Sequence, residues 1–132
     1  MRRHVAWHQR IKVAPKEQRT VDGVLYASKS EALRARELKL LFQAGEIRGW
    51  QRQPTYELGC PENKYRADFV VYDDFGQAHV EDVKGFEPRE FKRWKRLWRK
   101  YGKCPLVVLR RRGDRWEREI VNNDEAGKTN GD

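Results

Sequence analysis

The sequence predicts an α/β protein: a single-domain mixed β-sheet flanked by helices. Its 132 residues suit one domain. Two segments have the apolar periodicity of amphipathic helices, and the short segments around them are rich in β-branched and aromatic residues. The second helix separates two such segments, residues 80–84 and 106–110, and a helical crossover favours parallel pairing of the strands it joins. Tight turns join the other strands, so the sheet is expected to be mixed.

The domain should begin with a hairpin and a helix. Asp22-Gly23 suits a turn that needs positive φ, so Arg19–Val21 is predicted to pair with Val24–Ala27. A helix is predicted from Ser28 to about Ala44, and Gly45 is a suitable end. Its apolar face is predicted to comprise Ala32, Leu33, Ala35, Leu38, Leu41 and Phe42.

Three strands are predicted next. Trp50–Leu58 is expected to be one strand, with Pro54 at an edge or a bulge. Tyr65–Asp73 and Gln77–Lys84 are expected to form a β-hairpin around the turn that begins at Asp73.

A second helix and two strands complete the domain. The helix is predicted from Pro88 to Tyr101, because proline is tolerated in a first turn and Gly102 follows. Leu106–Arg110 reads as a buried strand, and Trp116–Val121 as a further one. The core face of the helix is predicted to comprise Phe91, Trp94, Leu97, Trp98 and Tyr101.

The chain carries a formal net charge of +9, and this charge is unevenly distributed. Residues 1–20 contain six basic and one acidic side chain, and residues 86–112 contain eleven and two, whereas residues 21–85 contain nine and eleven. A basic excess implies a polyanionic partner, most simply DNA or RNA. An acidic pocket between basic blocks is typical of a metal site on a phosphate-binding surface; a basic surface without a specific ligand is the alternative.

The expected organisation is a basic N-terminal arm at residues 1–20, the domain at residues 21–121, and a disordered polar tail at residues 122–132. No run is long and apolar enough to cross a bilayer, and no signal-peptide core follows the basic start, so we expect a cytoplasmic protein with no membrane partner. Cys60 and Cys104 lie far apart and are expected to be free thiols.

Asp68, Asp82 and Lys84 are the leading candidates for chemistry. Side chains alternate along a strand, so Asp82 and Lys84 point the same way, and Asp68 can lie beside them if the strands pair. Two carboxylates beside an ammonium suit a divalent metal held against a phosphate. The alternatives are a turn hydrogen bond for Asp68 and a surface ion pair, worth only about 0–1 kcal/mol, for Asp82 and Lys84.

Two other candidates have an equally good structural interpretation. Ser28 and Glu31 have the spacing of a capping box, which explains Glu31 without catalysis, although the start of that helix is also where a second metal ligand would belong. Gln53 suits a hydrogen bond to a phosphate or to the catalytic water, but a polar strand residue facing solvent is the simpler interpretation.

The order Glu31, Asp68, Asp82-x-Lys84 resembles the PD-(D/E)xK nuclease superfamily, and within it phage and prophage nucleases similar to archaeal Holliday-junction resolvases. The resemblance spans roughly residues 22–110. The chain departs from the family pattern at Ala67, where the family has the proline that precedes its first aspartate. The segments that carry the resemblance are Ser28-Lys29-Ser30-Glu31-Ala32, Gly45-Glu46-Ile47, Gln53-Pro54, Tyr65-Arg66-Ala67-Asp68-Phe69 and Glu81-Asp82-Val83-Lys84-Gly85.

The resemblance implies a restriction-endonuclease-like α-β-β-β-α-β core and a Mg²⁺-dependent cut that leaves a 5′-phosphate and a 3′-hydroxyl, with Mn²⁺ as a plausible substitute. It implies that Asp68, Asp82 and the Val83 carbonyl hold the metal, with Glu31 at a second metal or its water. Lys84 would orient or deprotonate the attacking water. Gln53 would lie near the site.

Basic side chains predict the DNA-binding surface. Six lie on the second helix: Lys92, Arg93, Lys95, Arg96, Arg99 and Lys100. Three lie in the arm: Arg2, Arg3 and Arg10. A solvated helix face with no ligand is the alternative.

The predicted function is that of a metal-dependent, structure-selective endodeoxyribonuclease, most specifically a Holliday-junction resolvase that cleaves four-way DNA junctions. Such an enzyme is expected to be a homodimer, because two symmetric cuts need two sites. The alternatives are a branched-DNA or nicking nuclease of phage replication, acting in a bacterial host cell, a non-catalytic DNA-binding module, and an RNA-binding protein.

Overall fold

A computed structural model describes residues 13–124. The chain divides into two compact units that part between Lys39 and Leu40, within the first helix. Arg2, Arg3 and Arg10 of the predicted arm and residues 125–132 of the predicted tail lie outside the described residues. No helix among residues 13–124 is long and apolar enough to span a membrane.

The N-terminal unit contains the predicted hairpin. A short 3-10 helix, Lys16–Arg19, leads into strand β1, Thr20–Val21, which pairs antiparallel with β2, Val24–Leu25. The two turn residues, Asp22 and Gly23, have φ values of 51° and 80°. Both central residues of a type I′ turn need positive φ, so the Asp-Gly pair explains why the chain reverses at this point.

Helix α1, Lys29–Gln43, ends close to where the sequence predicts. Gly45 has a φ of 78°, and its N–H bonds to the Phe42 carbonyl at 3.1 Å, as expected of a glycine that ends a helix. The predicted apolar face is only partly buried: Ala32, Ala35 and Leu38 are fully buried, whereas Phe42 is exposed. Phe42 lies in the last turn, beyond the buried stripe.

Five strands form a mixed sheet in the second unit, in the order β3-β6-β7-β8-β9. They are β3, Gly49–Arg52; β6, Phe69–Tyr72; β7, Ala78–Val83; β8, Leu106–Arg112; and β9, Arg115–Val121. Strands β7 and β8 are parallel, and the other neighbours are antiparallel. Helix α2, Arg89–Tyr101, is the crossover between the parallel pair. The predicted α/β class, with a mixed sheet and helices, is confirmed.

The segment predicted as one strand from Trp50 to Leu58 is two strands in different sheets. Strand β3 ends at Arg52, and β4, Thr55–Glu57, pairs instead with β5, Lys64–Arg66, in a separate two-stranded sheet. The break has a local cause: Gln53 adopts a left-handed φ of 54°, and Pro54 has no N–H to continue a ladder.

The predicted strand Tyr65–Asp73 is interrupted in the same way. Strand β5 ends at Arg66, the chain bends at Asp68, and β6 begins at Phe69. The two bends bond to each other, because the Gln53 N–H donates to the Asp68 carbonyl at 2.8 Å and the Ala67 N–H donates to the Pro54 carbonyl at 3.0 Å. Both strands therefore change direction at the same place, and this places Asp68 at a bend rather than within a strand.

Helix α2 covers one face of the sheet. Its Phe91 and Trp98 are buried against Val70, Val80 and Val108, with Trp94 and Leu97 packed at the edge of this core. The Trp98 indole N–H donates to the Cys104 carbonyl at 2.7 Å, which satisfies the polar group of an otherwise apolar ring. Tyr101, predicted as core, is partly exposed, because it lies in the last turn of the helix. Both cysteines are free, as predicted.

Candidate active site at the end of strand β7

Asp82 lies on the face of β7 that packs against α2, since it shares that face with buried Val80. The carboxylate is only 2% exposed. Two donors satisfy it: the Tyr65 hydroxyl donates to Oδ2, and Lys84 Nζ lies 3.1 Å from Oδ1. The predicted proximity of Asp82 and Lys84 is therefore present in the structure.

Asp68 reaches the same strand end from the bend before β6. Its Oδ2 accepts a 2.7 Å hydrogen bond from the Val83 N–H, and its own N–H donates to the Glu81 carbonyl at 3.2 Å. Asp68 is therefore bonded to the β7 backbone on both sides of Asp82, at Glu81 and at Val83, as expected if the two carboxylates belong to one site.

The surroundings of Tyr65 raise the pKa of its hydroxyl. Burial raises the pKa of its phenol, and the negative charges of Asp82 and Asp68 raise that pKa further. The phenol stays protonated and donates to Asp82 across the ordinary pH range.

Sequence reasoning gave Tyr65 no role. Its ring lies among three aromatic rings of α2, with centroids 5.4 Å from Trp94, 6.0 Å from Trp98 and 6.4 Å from Phe91. This packing fixes the hydroxyl that holds Asp82. The sequence signal that could have identified it is a tyrosine between two charged residues in a strand. If such a tyrosine is buried, its hydroxyl needs a polar partner.

Lys84 is held between a carboxylate and an aromatic ring. Its Nζ lies 4.6 Å from the Phe91 ring centroid, a cation–π distance, while also pairing with Asp82. Its backbone N–H donates to the Leu109 carbonyl at 2.9 Å, so the residue is tied to β8. The ammonium is thus held in place by contacts within the protein.

Asp82 and Lys84 open onto a cavity of about 320 Å³. Exposed Lys64 and Arg66 of β5 lie on its wall, and the first turns of α2 form the opposite wall. The full lining is Lys64, Tyr65, Arg66, Asp82, Lys84, Pro88, Glu90, Phe91 and Trp94. Three cations and two carboxylates, buried Asp82 and exposed Glu90, therefore line the cavity, and cations of this kind suit a phosphate group.

Gln53 is connected to this site through the backbone. Its N–H donates to the carbonyl of Asp68 at 2.8 Å, and its side chain is exposed. A left-handed φ is uncommon for a residue other than glycine and is often found at functional sites. The main chain of Gln53 therefore bonds to Asp68, while a contact of its side chain with a phosphate or the catalytic water stays a prediction.

Glu31 lies in the N-terminal unit and has the contacts of a helix cap. Its N–H donates to Ser28 Oγ at 3.1 Å, and its Oε2 accepts from the Ala27 N–H at 3.1 Å. This is the predicted capping-box pattern with the donor shifted by one residue, from the N–H of Ser28 to that of Ala27. A role for Glu31 as a metal ligand stays a prediction.

Glu81 lies on the opposite face of β7 from Asp82, as alternation along the strand predicts. It is fully buried, and its Oε2 lies 2.8 Å from His79 Nε2. Two adjacent acidic residues thus occupy separate environments, and only Asp82 lines the cavity.

The six basic residues of α2 that were predicted to contact DNA differ in their environments. Four are exposed on one stripe at spacing i, i+4, i+7 and i+8: Lys92, Arg96, Arg99 and Lys100. Arg93 is partly engaged, since its guanidinium donates to Asn63 Oδ1 at 2.6 Å and stacks on Trp94.

Lys95, predicted as a DNA contact, lies inside the protein instead. Its side chain is 12% exposed, and Nζ lies 2.7 Å from Glu87 and 3.1 Å from Glu119. Arg110 completes the cluster, 2.8 Å from Glu87 and 3.2 Å from Glu119. Lys95 faces inward because it is on the α2 face that packs against β9. We therefore leave it out of the exposed basic surface.

The donors at the end of β7 fit a hard divalent cation. Asp68 and Asp82 supply carboxylate oxygens, and the Val83 carbonyl points to the same side of the strand as the Val83 N–H that bonds Asp68. No group of three or more acidic, histidine or cysteine side chains within residues 13–124 is arranged to hold a metal. A site with two carboxylates suits Mg²⁺, which keeps several waters and takes further oxygens from substrate phosphates.

A family model described as "Protein of unknown function (DUF1064)" matches residues 12–111. The chain belongs to the DUF1064 family. The match runs from the start of the described residues to strand β8 and includes Asp68, Asp82 and Lys84.

Among solved structures, this DUF1064 chain is similar to one titled "Crystal structure of SSO0001", with 18% sequence identity and a TM-score of 0.38. The similarity covers 74% of this chain and 55% of that chain, so the DUF1064 chain spans little more than half of that protein. A comparison with curated proteins finds no match.

Proposed function

We propose that the chain is a metal-dependent endodeoxyribonuclease that acts in the cytoplasm. The observation that supports this most directly is the convergence of Asp68, Asp82 and Lys84 at the end of β7, beside a cavity with a basic wall. Carboxylates that share a site repel each other, and a divalent cation would offset that repulsion.

Each residue has a defined role in this proposal. Asp68, Asp82 and the Val83 carbonyl would hold Mg²⁺, or Mn²⁺ in its place. The bound metal would act as a Lewis acid and lower the pKa of a coordinated water. Tyr65 and the Val83 N–H fix the two carboxylates. Lys84 stabilises the negative charge that develops on the phosphate and orients the attacking water, since Asp82 and Phe91 already hold its ammonium.

The exposed stripe on α2 supports DNA as the substrate. Lys92, Arg96, Arg99 and Lys100 follow the helix, and within residues 13–124 no carboxylate pairs with them as Glu87 and Glu119 pair with Lys95. Such a stripe suits a phosphate backbone, which supplies regularly spaced negative charge. We propose a branched substrate, with the four-way junction as its first example, cut by a homodimer to give 5′-phosphate ends.

The test is cleavage of a labelled four-way junction beside a linear duplex of the same sequence, with Mg²⁺ and with EDTA. We expect Mg²⁺-dependent cleavage by the native chain and a loss of about 100-fold or more in Asp82→Asn and Lys84→Ala. Asp74→Asn is the matched control, because Asp74 is an exposed carboxylate in the turn that joins β6 to β7. It should cleave like the native chain.

A second measurement reports the metal without cleavage. Mg²⁺ should raise the thermal unfolding temperature of the native chain and of Asp74→Asn, because a ligand that binds only the folded state stabilises it. Asp82→Asn should lose this increase. Full cleavage by Asp82→Asn in Mg²⁺ would overturn the proposal, and DNA binding without any cleavage would instead favour a non-catalytic DNA-binding module.

A further inference from the structure

Phe86 lies beside the site with its ring in solvent. It follows Lys84 by two residues in the loop between β7 and α2, and it is 81% exposed. Among the described large hydrophobic residues, only Phe75, at 87%, is more exposed. A single exposed apolar residue is ordinary on a protein surface, so exposure alone assigns nothing. The position of Phe86 is what distinguishes it from Phe75.

The loop that carries Phe86 is short and anchored on both sides. Before it, Lys84 is tied to β8 by its N–H and to Asp82 by its ammonium. After it, Glu87 is held by Lys95 at 2.7 Å and by Arg110 at 2.8 Å. Only Gly85 and Phe86 lie between these anchors. The ring is therefore presented at a defined place next to the cavity.

The surroundings of Phe86 select the chemistry of its partner. The nearby cavity is lined by the cations of Lys64, Arg66 and Lys84, which suit phosphate, and an exposed aromatic ring suits the flat face of a nucleobase. A paired base within a duplex is stacked between its neighbours and has no free face to offer. A ring at this place therefore fits a base that is unpaired or has left the stack.

We infer that Phe86 stacks on an unpaired or extruded nucleobase next to the phosphate bound in the cavity. This inference rests on the proposed function and deepens it, because it gives the site a preference for DNA with unstacked bases. A branch point or a single-stranded segment provides such bases, whereas continuous duplex does not.

The experiment measures binding of the full chain to a fluorescein-labelled single strand and to the corresponding duplex, in EDTA at fixed salt. Phe86→Ala should weaken single-strand binding about 10-fold or more and change duplex binding less than about 2-fold. Phe86→Leu, which keeps an apolar side chain but no ring, should behave like alanine. Phe86→Trp should retain native affinity. Phe75→Ala, equally exposed at the β6–β7 turn, is the control and should bind like the native chain.

Equal weakening of single-strand and duplex binding in Phe86→Ala would overturn the inference, as would native affinity in Phe86→Leu. So would an equal loss in Phe75→Ala. Because binding in EDTA needs no cleavage, the two proposals fail separately. If Phe86→Ala cleaves junctions and binds the single strand like the native chain, only the stacking role of Phe86 is overturned. If Phe86→Ala weakens single-strand binding but the native chain never cleaves DNA, only the nuclease proposal is overturned. If the native chain binds neither the single strand nor the duplex, both proposals are overturned.

Discussion

Hydrogen-bond donors hold the two carboxylates at the end of β7 in place. Asp82 is fixed by the Tyr65 hydroxyl and by Lys84, and Asp68 is fixed by the Val83 N–H. Burying a carboxylate without such partners is strongly unfavourable, so these contacts allow two negative charges to remain close together within the fold. At the residue scale, the candidate site is therefore a pair of hydrogen-bonded carboxylates, of which Asp82 lines the cavity and Asp68 is bonded to the adjacent backbone of β7.

Gln53 offers a test of strain at this scale. A left-handed φ is unfavourable for a residue with a Cβ and unrestricted for glycine. We expect Gln53→Gly to raise the free energy of unfolding by about 0.5–1 kcal/mol, measured by urea denaturation. If the side chain contacts substrate, the same variant should cleave more slowly even though it is more stable.

Gln51→Gly is the control for Gln53→Gly. Gln51 is exposed and lies within β3, paired with Val70, where glycine lowers stability by about 0.5–1 kcal/mol. Opposite signs for the two glycine variants are expected. A destabilised Gln53→Gly would show that contacts of the side chain outweigh the backbone strain.

At the scale of elements, helix α2 has three faces with different roles. Phe91 and Trp98 pack on the sheet, the stripe that begins at Lys92 faces solvent, and Lys95 closes an ion-pair cluster with Glu87, Glu119 and Arg110. This cluster connects the loop before α2 to β8 and β9. It therefore holds in place both the start of the helix and the loop that carries Phe86.

The cluster predicts a pH dependence of stability. The hydrogen bond from Lys95 lowers the pKa of Glu87, with Arg110 adding to the effect and burial opposing it. The folded-state pKa lies below the ordinary glutamate value of about 4.3, so the stabilisation is present above that pH and is lost as the pH falls through the folded-state pKa. Glu87→Gln should therefore lower the free energy of unfolding by about 1–3 kcal/mol at pH 7, and by much less at pH 3.

Urea denaturation at the two pH values measures this difference. Glu90→Gln is the matched control, because the Glu90 side chain is 67% exposed and lies 3.7 Å from Arg93. An exposed pair of this kind contributes little, so the control should change stability by less than about 0.5 kcal/mol at either pH. An effect of Glu87→Gln that does not change with pH would contradict the role of its charge.

At the scale of the whole molecule, a basic side chain can bind a polyanion only where it is exposed and not paired with a carboxylate. Lys95 and Arg110 count toward the net charge of +9 but neutralise Glu87 and Glu119 within the fold. Lys92 and Arg96 lie on the exposed stripe of α2. Charge totals along the sequence therefore overestimate the surface available to a polyanion.

Salt dependence of DNA binding tests this distinction. Lys92→Ala/Arg96→Ala should reduce the slope of log affinity against log salt concentration by about 2, one for each lost phosphate contact. Arg115→Ala/Arg118→Ala, on the exposed positions of edge strand β9, removes the same charge and should leave the slope nearly unchanged. Equal effects of the two pairs, measured by fluorescence anisotropy, would mean that net charge alone attracts DNA.

Most of the fold was predictable because its signals are local. Asp22-Gly23 specified a turn, Gly45 ended a helix, and the segment from Pro88 to Tyr101 had one apolar face. Parallel pairing of β7 and β8 followed from the helix between them. At Trp50–Leu58 the sequence marked a disruption at Pro54, but the pairing of β4 with β5 joins segments that lie apart in the chain and could not be read from local signals.

The sequence by itself determined the candidate groups and the face of β7 that Asp82 occupies, since alternation along this strand separates Asp82 from Glu81. Only the tertiary structure decided how those groups are held. Tyr65, the Phe91 ring and the Glu87–Lys95 cluster act through contacts between segments that are far apart in the chain. Periodicity along a chain reports the direction of a side chain, whereas its partner depends on which other segments fold against it.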